Sequence, residues 1–172
     1  MSNKTDKGPD LQGLGDIADQ LCRPPFYQIR FDSDTKTPSL QALNELMQRL
    51  RAVFFPGYYT APFASKASQH YHLSANLDSI YRLLAGQIQS GNCFSSSASM
   101  DCSENGSDAY ALAARFMAAL PKVRDRLEGD VQAAYEGDPA AKSPGETIFC
   151  YPSIQVMTNH RVAHELYRLN VP

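Results

Sequence analysis

Apolar positions along this chain recur at steps of three and four residues, the period of a helix with one buried face. Leu40, Leu43, Met47, Leu50 and Phe54 form the first such row. Thr37 and Pro38 stand ahead of it as N-cap and first helical residue, and Pro56-Gly57 ends it. A second row, Leu73, Leu77, Ile80, Leu84 and Ile88 with Tyr81 beside it, predicts a helix from Ser68 to Gln89 that stops at Ser90-Gly91. At 1.5 Å per residue it would be about 30 Å long. Ser107 is placed to cap a third helix, Asp108 to Leu120, with Leu112, Phe116 and Leu120 in line and alanines alongside that allow close helix contact. Pro121 restarts a helix at its first turn, and Val123, Leu127, Val131 and Ala134 form its buried row. A last helix follows Pro152 and carries Ile154, Met157, Val162, Leu166 and Leu169. No segment alternates with period two over a useful length. The predicted fold class is all-α, a helical bundle of about five main helices over residues 37–172.

The stretches between these rows are polar. Residues 1–36 are broken by Gly and Pro, and Leu21-Cys-Arg-Pro-Pro-Phe-Tyr27 has apolar content without a period. They are expected to form an N-terminal arm, partly disordered and docked near Phe26 and Tyr27. Ser90 to Ser107, with Ser95-Ser-Ser-Ala-Ser99 and Asn105-Gly106, reads as a solvated loop. Phe54-Phe-Pro-Gly-Tyr-Tyr59 is an aromatic turn expected to pack one helix end against its neighbour.

Composition narrows the function classes. A chain of 172 residues suits one domain with a real core. A net charge of −2 gives no basic footprint, so no nucleic-acid partner is expected. No apolar run approaches the ~18 residues of a membrane span, so no membrane partner is expected. The first ten residues lack the apolar core of a signal peptide, and the expected location is cytoplasmic. Cys22, Cys93, Cys102 and Cys150 show no CxxC spacing and no histidine nearby in a finger-like pattern. Free thiols in a reducing compartment are the expectation.

Few groups offer chemistry. His160 and His164 share one helix face, a geometry able to bind metal, but no third ligand suggests itself and the HExxH order is absent. His70 and His72 are two apart and would point to opposite sides of a helix. There is no GxSxG and no Gly-rich phosphate loop, and Ser95 to Ser99 is a loop tract. Asp138 stands between Gly137 and Pro139. Gly137 suits a left-handed exit from a helix, and the residue before proline is pushed towards an extended conformation. The local reading is an Asp-Pro turn with its carboxylate at a rigid corner.

Three segments carry a resemblance: Asp130-Val-Gln-Ala-Ala-Tyr-Glu-Gly-Asp-Pro-Ala-Ala141, Ile148-Phe-Cys-Tyr-Pro152 and His160-Arg-Val-Ala-His-Glu-Leu-Tyr167. Leu50-Arg-Ala-Val-Phe-Phe-Pro-Gly-Tyr58 and His70-Tyr-His-Leu-Ser-Ala-Asn-Leu77 add to it. From Leu40 to Pro172 the chain resembles the N-terminal helical domain of bacterial serine acetyltransferases. That resemblance implies acetyl transfer from acetyl-CoA to L-serine, giving O-acetyl-L-serine in the first step of cysteine biosynthesis. It implies that Asp138 helps to hold the substrate, through a charge-assisted hydrogen bond from the serine ammonium group. In the family a left-handed β-helix of hexapeptide repeats follows this point, and it supplies the histidine base and the acetyl-CoA surface. The chain ends at Pro172, so no catalytic residue, metal or bound cofactor is expected in it, and alone it is expected to be inactive. Homo-oligomers are implied, trimers through the β-helix that pair through their helical domains, as is a cysteine synthase partner engaged by a C-terminal tail. A stand-alone helical interaction module and a metal-binding bundle using His160 and His164 are the competing readings.

Overall fold

The structure, a computed structural model, describes residues 11–24, 37–95 and 106–171. The chain falls into two units, Met1–Asp34 and Thr35–Pro172. In the first, residues 11–21 form a helix, α1 (Leu11–Leu21), where sequence periodicity led to an arm. Leu14, Ile17 and Leu21 lie at helical steps on one side of it, and each is more than half exposed. Eleven residues are too few to establish a period, and Gly13 and Gly15 argue against a helix that forms nonetheless. The docking expected at Phe26 and Tyr27 lies outside the described residues.

In the second unit the described residues form five helices and no strand: α2 (Leu40–Phe54), α3 (Lys66–Ser95), α4 (Gly106–Gly137), α5 (Pro144–Cys150) and α6 (Pro152–Arg168). The all-α bundle is as predicted, with different boundaries. Ser39, not Thr37, caps α2, its Oγ accepting from the Ala42 amide at 3.2 Å. The buried face of α2 is Leu46, Leu50 and Phe54, while Leu40 and Leu43 stay exposed. The third helix runs on past Ser90-Gly91 to Ser95, so the expected loop begins later, and residues 96–105 lie outside the described set. Because α4 already includes Gly106, Ser107 stands inside its first turn instead of capping it.

The largest departure is α4 itself. One helix of 32 residues replaces the predicted pair, with Pro121 in its interior. Proline removes the hydrogen bond to the carbonyl four residues back and costs about 3 kcal/mol there. The continuity of the buried row explains the outcome: Phe116, Leu120, Val123, Leu127 and Val131 follow at steps of four, three, four and four, so both halves bury one face in one phase. Pro121 lies on the exposed side. Helix α4 packs against α3, α5 and α6, and α2 packs on α3. Ala109 and Ala113 are buried and let helices approach closely, as expected.

The two buried threonines are satisfied within their own helices. Thr147 and Thr158 hydroxyls donate to the carbonyls of Pro144 and Ile154, each at 2.7 Å. Glu165, only 8% exposed, sits by Arg168 at 3.4 Å and Arg126 at 3.7 Å. Cysteine usage departs from expectation at one described position. Cys93, now on α3, is disulfide-bonded, whereas Cys22 and Cys150 are free and exposed.

Candidate functional site

Asp138 sits where α4 ends, and its neighbours explain its geometry. The chain leaves α4 without a left-handed residue: among the described glycines only Gly57 has positive φ. The expected exit through Gly137 is replaced by a β-turn over residues 138–141, closed by the Ala141 amide donating to the Asp138 carbonyl at 3.0 Å. Pro139 takes the second position, where its fixed φ fits. Asp138 Oδ1 accepts from the Ala140 amide at 2.9 Å, the local Asx arrangement. The carboxylate is therefore held by its own turn, at the corner the sequence suggested.

Its second partner was not legible in the sequence. The Tyr151 hydroxyl donates to Asp138 Oδ2 at 2.6 Å. Two short-range devices bring Tyr151 there. First, Ser143 caps α5, its Oγ accepting from the Glu146 amide at 3.2 Å, while Glu146 Oε2 accepts from the Lys142 amide at 2.8 Å. With Pro144 in the first turn, this is a strong helix start that folds the chain back over seven residues. Second, Tyr151 is extended (φ −86°, ψ 118°) and separates α5 from α6. Pro152 enforces that conformation on the residue before it, and the Tyr151 amide donates to Thr147 O at 3.2 Å.

The two side chains shift each other's titration. The Tyr151 hydroxyl, then the Ala140 amide, hold the Asp138 carboxyl below its ordinary value. Asp138 in turn pushes the Tyr151 phenol up to about 12. Near neutral pH the pair is a carboxylate with a protonated phenol. It can orient and accept from a cation, but the phenol cannot serve as a base there.

An ion pair further back along α4 ties it to α6. Arg161 grips Asp130 with two bonds, Nε to Oδ2 at 3.0 Å and Nη2 to Oδ1 at 2.7 Å, and its guanidinium pKa is raised by that carboxylate. The aromatic turn after α2 reaches α5. Tyr59 donates to the Ile148 carbonyl at 3.1 Å, and a cavity of about 240 Å³ opens among Phe54, Phe55, Tyr58, Arg124, Val131 and Ile148. Gly145 allows the approach of Tyr58, whose hydroxyl oxygen would lie 2.9 Å from an added Cβ. The turn both packs a helix end and lines a cavity.

The histidines stand apart from any such assembly. His160 and His164 are exposed, their rings stacked 6.0 Å apart on α6. His70 and His72 are exposed on α3, with His72 against Phe63 at 5.8 Å. Among the described residues no group of three His, Cys, Asp or Glu side chains is placed to hold a metal ion. No helix of the described residues is long and apolar enough to cross a membrane.

No protein-family model matches the chain. Known proteins do. It is 38% identical over 173 residues to a protein of Synechococcus elongatus named "Serine acetyltransferase, plasmid", an alignment covering 93% of this chain and 53% of that protein. Shorter matches reach serine acetyltransferases of Mycobacterium tuberculosis, 48% identical over 42 residues (24% of this chain, 18% of that protein), and of a Synechocystis species, 44% over 46 residues (27% and 18%). The chain thus spans about half the length of the relative it matches most extensively among these.

Proposed function

We propose, for a chain that is related to the serine acetyltransferases along nearly its whole length, that it is the helical part of a serine O-acetyltransferase and supplies Asp138 to the serine site. In the reaction the serine hydroxyl oxygen bonds to the acetyl carbon of acetyl-CoA as the C–S bond breaks. The hydroxyl proton passes to a general base, and the CoA thiolate leaves. The product is O-acetyl-L-serine, the first intermediate on the way to cysteine. The observation that carries this reading is the 38% identity over 93% of the chain to a protein of that name. Supporting it is a corner that keeps Asp138 ionised and oriented, suited to the ammonium group of an amino acid.

The chemistry of that corner supports a division of labour. Asp138 binds, and the groups bonded to it are an amide and a phenol near pKa 12, neither of them a base at neutral pH. The base and the acetyl-CoA site belong to the other half of the enzyme, and the helical part alone is inactive. It binds no cofactor or metal of its own. Its second task is assembly into a homo-oligomer, for which Leu40 and Leu43 offer apolar surface on α2. The enzyme works in the cytoplasm, with cysteine synthase as a possible partner of its C-terminal tail. A stand-alone interaction module is the second reading, favoured by the exposed row Leu14, Ile17 and Leu21 on α1.

The test is turnover. The purified 172-residue chain, given L-serine and acetyl-CoA, should release no CoA above a heat-killed control. The acetyltransferase that carries these residues should release it. Turnover by the chain alone would refute the division of labour, and silence of the longer protein would favour the interaction module.

A further inference from the structure

We propose that Tyr151 is a positioning residue for the protonated amine of the substrate, acting through Asp138. This rests on the reading of Asp138 as the serine contact. The bond from the Tyr151 hydroxyl to Asp138 Oδ2, at 2.6 Å, falls in the short range of hydroxyl-to-carboxylate bonds. The donor is fixed from both sides, since Tyr151 ends α5, begins α6 and precedes Pro152.

The count of acceptor sites leaves room for a ligand. An ionised carboxylate offers about four lone-pair directions. The Ala140 amide takes one on Oδ1 and the Tyr151 hydroxyl one on Oδ2. The side chain is half-buried, so the remaining directions stay reachable from solvent. An ammonium group brings the donors to fill them.

The choice of partner sets selectivity. A lysine or arginine in place of Tyr151 would also hold Asp138, but it would cancel the charge that attracts the ligand. A phenol orients the carboxylate and leaves its negative charge intact. Tyr151 also carries the larger share of the depression of the Asp138 pKa. Glu146 adds negative charge near the phenol, which favours a cationic ligand further. The corner therefore prefers a small molecule with a protonated primary amine over the same molecule without it.

The experiment has two arms. In the 172-residue chain, the Asp138 carboxyl is titrated by carbon NMR in the unaltered protein and in Tyr151→Phe. The expected result is a higher Asp138 midpoint in a variant that stays folded, and an unmoved midpoint would overturn the proposal. In the acetyltransferase carrying these residues, Tyr151→Phe, Asp138→Asn and the double variant are compared. Loss of one orienting hydrogen bond should raise KM for L-serine roughly two- to tenfold, with kcat and KM for acetyl-CoA little changed. In the Asp138→Asn background the same substitution should add nothing. If Asp138→Asn raises KM for serine but Tyr151→Phe does not, Asp138 keeps its role and the positioning proposal fails. If Asp138→Asn changes nothing, the assignment of Asp138 fails and the proposal falls with it. An effect of Tyr151→Phe equal in both backgrounds would also overturn it, because Tyr151 would then act by another route.

Discussion

Arg161 ties α6 to α4, and its removal gives a sharp measure of what holds these two helices together. Arg161→Met keeps the apolar stem and removes the fork. Two bonds to Asp130 are lost, at 3.0 and 2.7 Å, and the Asp130 carboxylate is left unpartnered by them. The side chains are 28% and 15% exposed, so the pair lies between a solvated surface bridge, worth about 0–1 kcal/mol, and a fully buried one, whose breaking costs about 3–5 kcal/mol. Net hydrogen bonds to charged groups run at about 1.5–3 kcal/mol, and the loss should fall at about 2 kcal/mol. Arg161→Lys should recover little of it, since a lysine cannot reproduce the two-pronged contact. Urea unfolding of Arg161→Met, Asp130→Asn and the double variant provides the cycle. The expected coupling is at least about 1 kcal/mol. Arg82, which meets Asp78 at 2.9 Å with side chains 73% and 60% exposed, is the control and should show no measurable coupling. Equal coupling in the two pairs would refute the argument that partial burial sets the difference.

Other consequences can be measured on the same chain. Pro121→Ala restores a backbone donor inside α4 and should raise stability by about 2 kcal/mol, the helix-interior cost of proline less its restriction of the unfolded chain; lowered stability in urea would mean that Pro121 opens a separate helix, where proline is favoured. Because its folded pKa is raised, the Tyr151 contribution is complete below pH 10 and lost as pH rises through about 12, so absorbance should show a tyrosine ionising near 12 that Tyr151→Phe removes. Asp138 runs the other way, since a lowered pKa means its contribution persists above pH 3.8 and is lost as pH falls through the depressed value. Without reductant, thiol labelling and mass spectrometry should mark Cys22 and Cys150 and spare Cys93; a labelled Cys93 would contradict the disulfide.

The helical rows were legible because burial follows a period. Ile80, Leu84 and Ile88 on α3, and Phe116, Leu120, Val123 and Leu127 on α4, lie buried where the pattern put them. Errors arose where local rules met packing. On α2 the row placed Leu50 and Phe54 correctly, but the apolar residues span a wide arc, and the period alone could not choose Leu46 over Leu43 and Met47 as their buried neighbour. At Pro121 a local breaker lost to a buried row that keeps phase through it. The start of α5 was written plainly as Ser143-Pro144-Gly-Glu146, but seven residues show no period to draw attention to it. Asp138 stood out through resemblance and its place before proline. Tyr151 could not be found, because its partner is 13 residues away and the contact exists only once α5 has folded the chain back.

The central claim is that Asp138 receives the ammonium group of serine, and Asp138→Asn in the acetyltransferase carrying this chain tests it most directly. The substitution keeps the side-chain shape, and the turn retains the Asp138 carbonyl bond to the Ala141 amide. Losing a hydrogen bond to a charged group should lower kcat/KM for L-serine roughly ten- to a hundredfold. The KM for acetyl-CoA should stay within error, and the melting temperature should barely move. Unchanged serine kinetics in a folded variant would contradict the account and return Asp138 to the role of a turn residue.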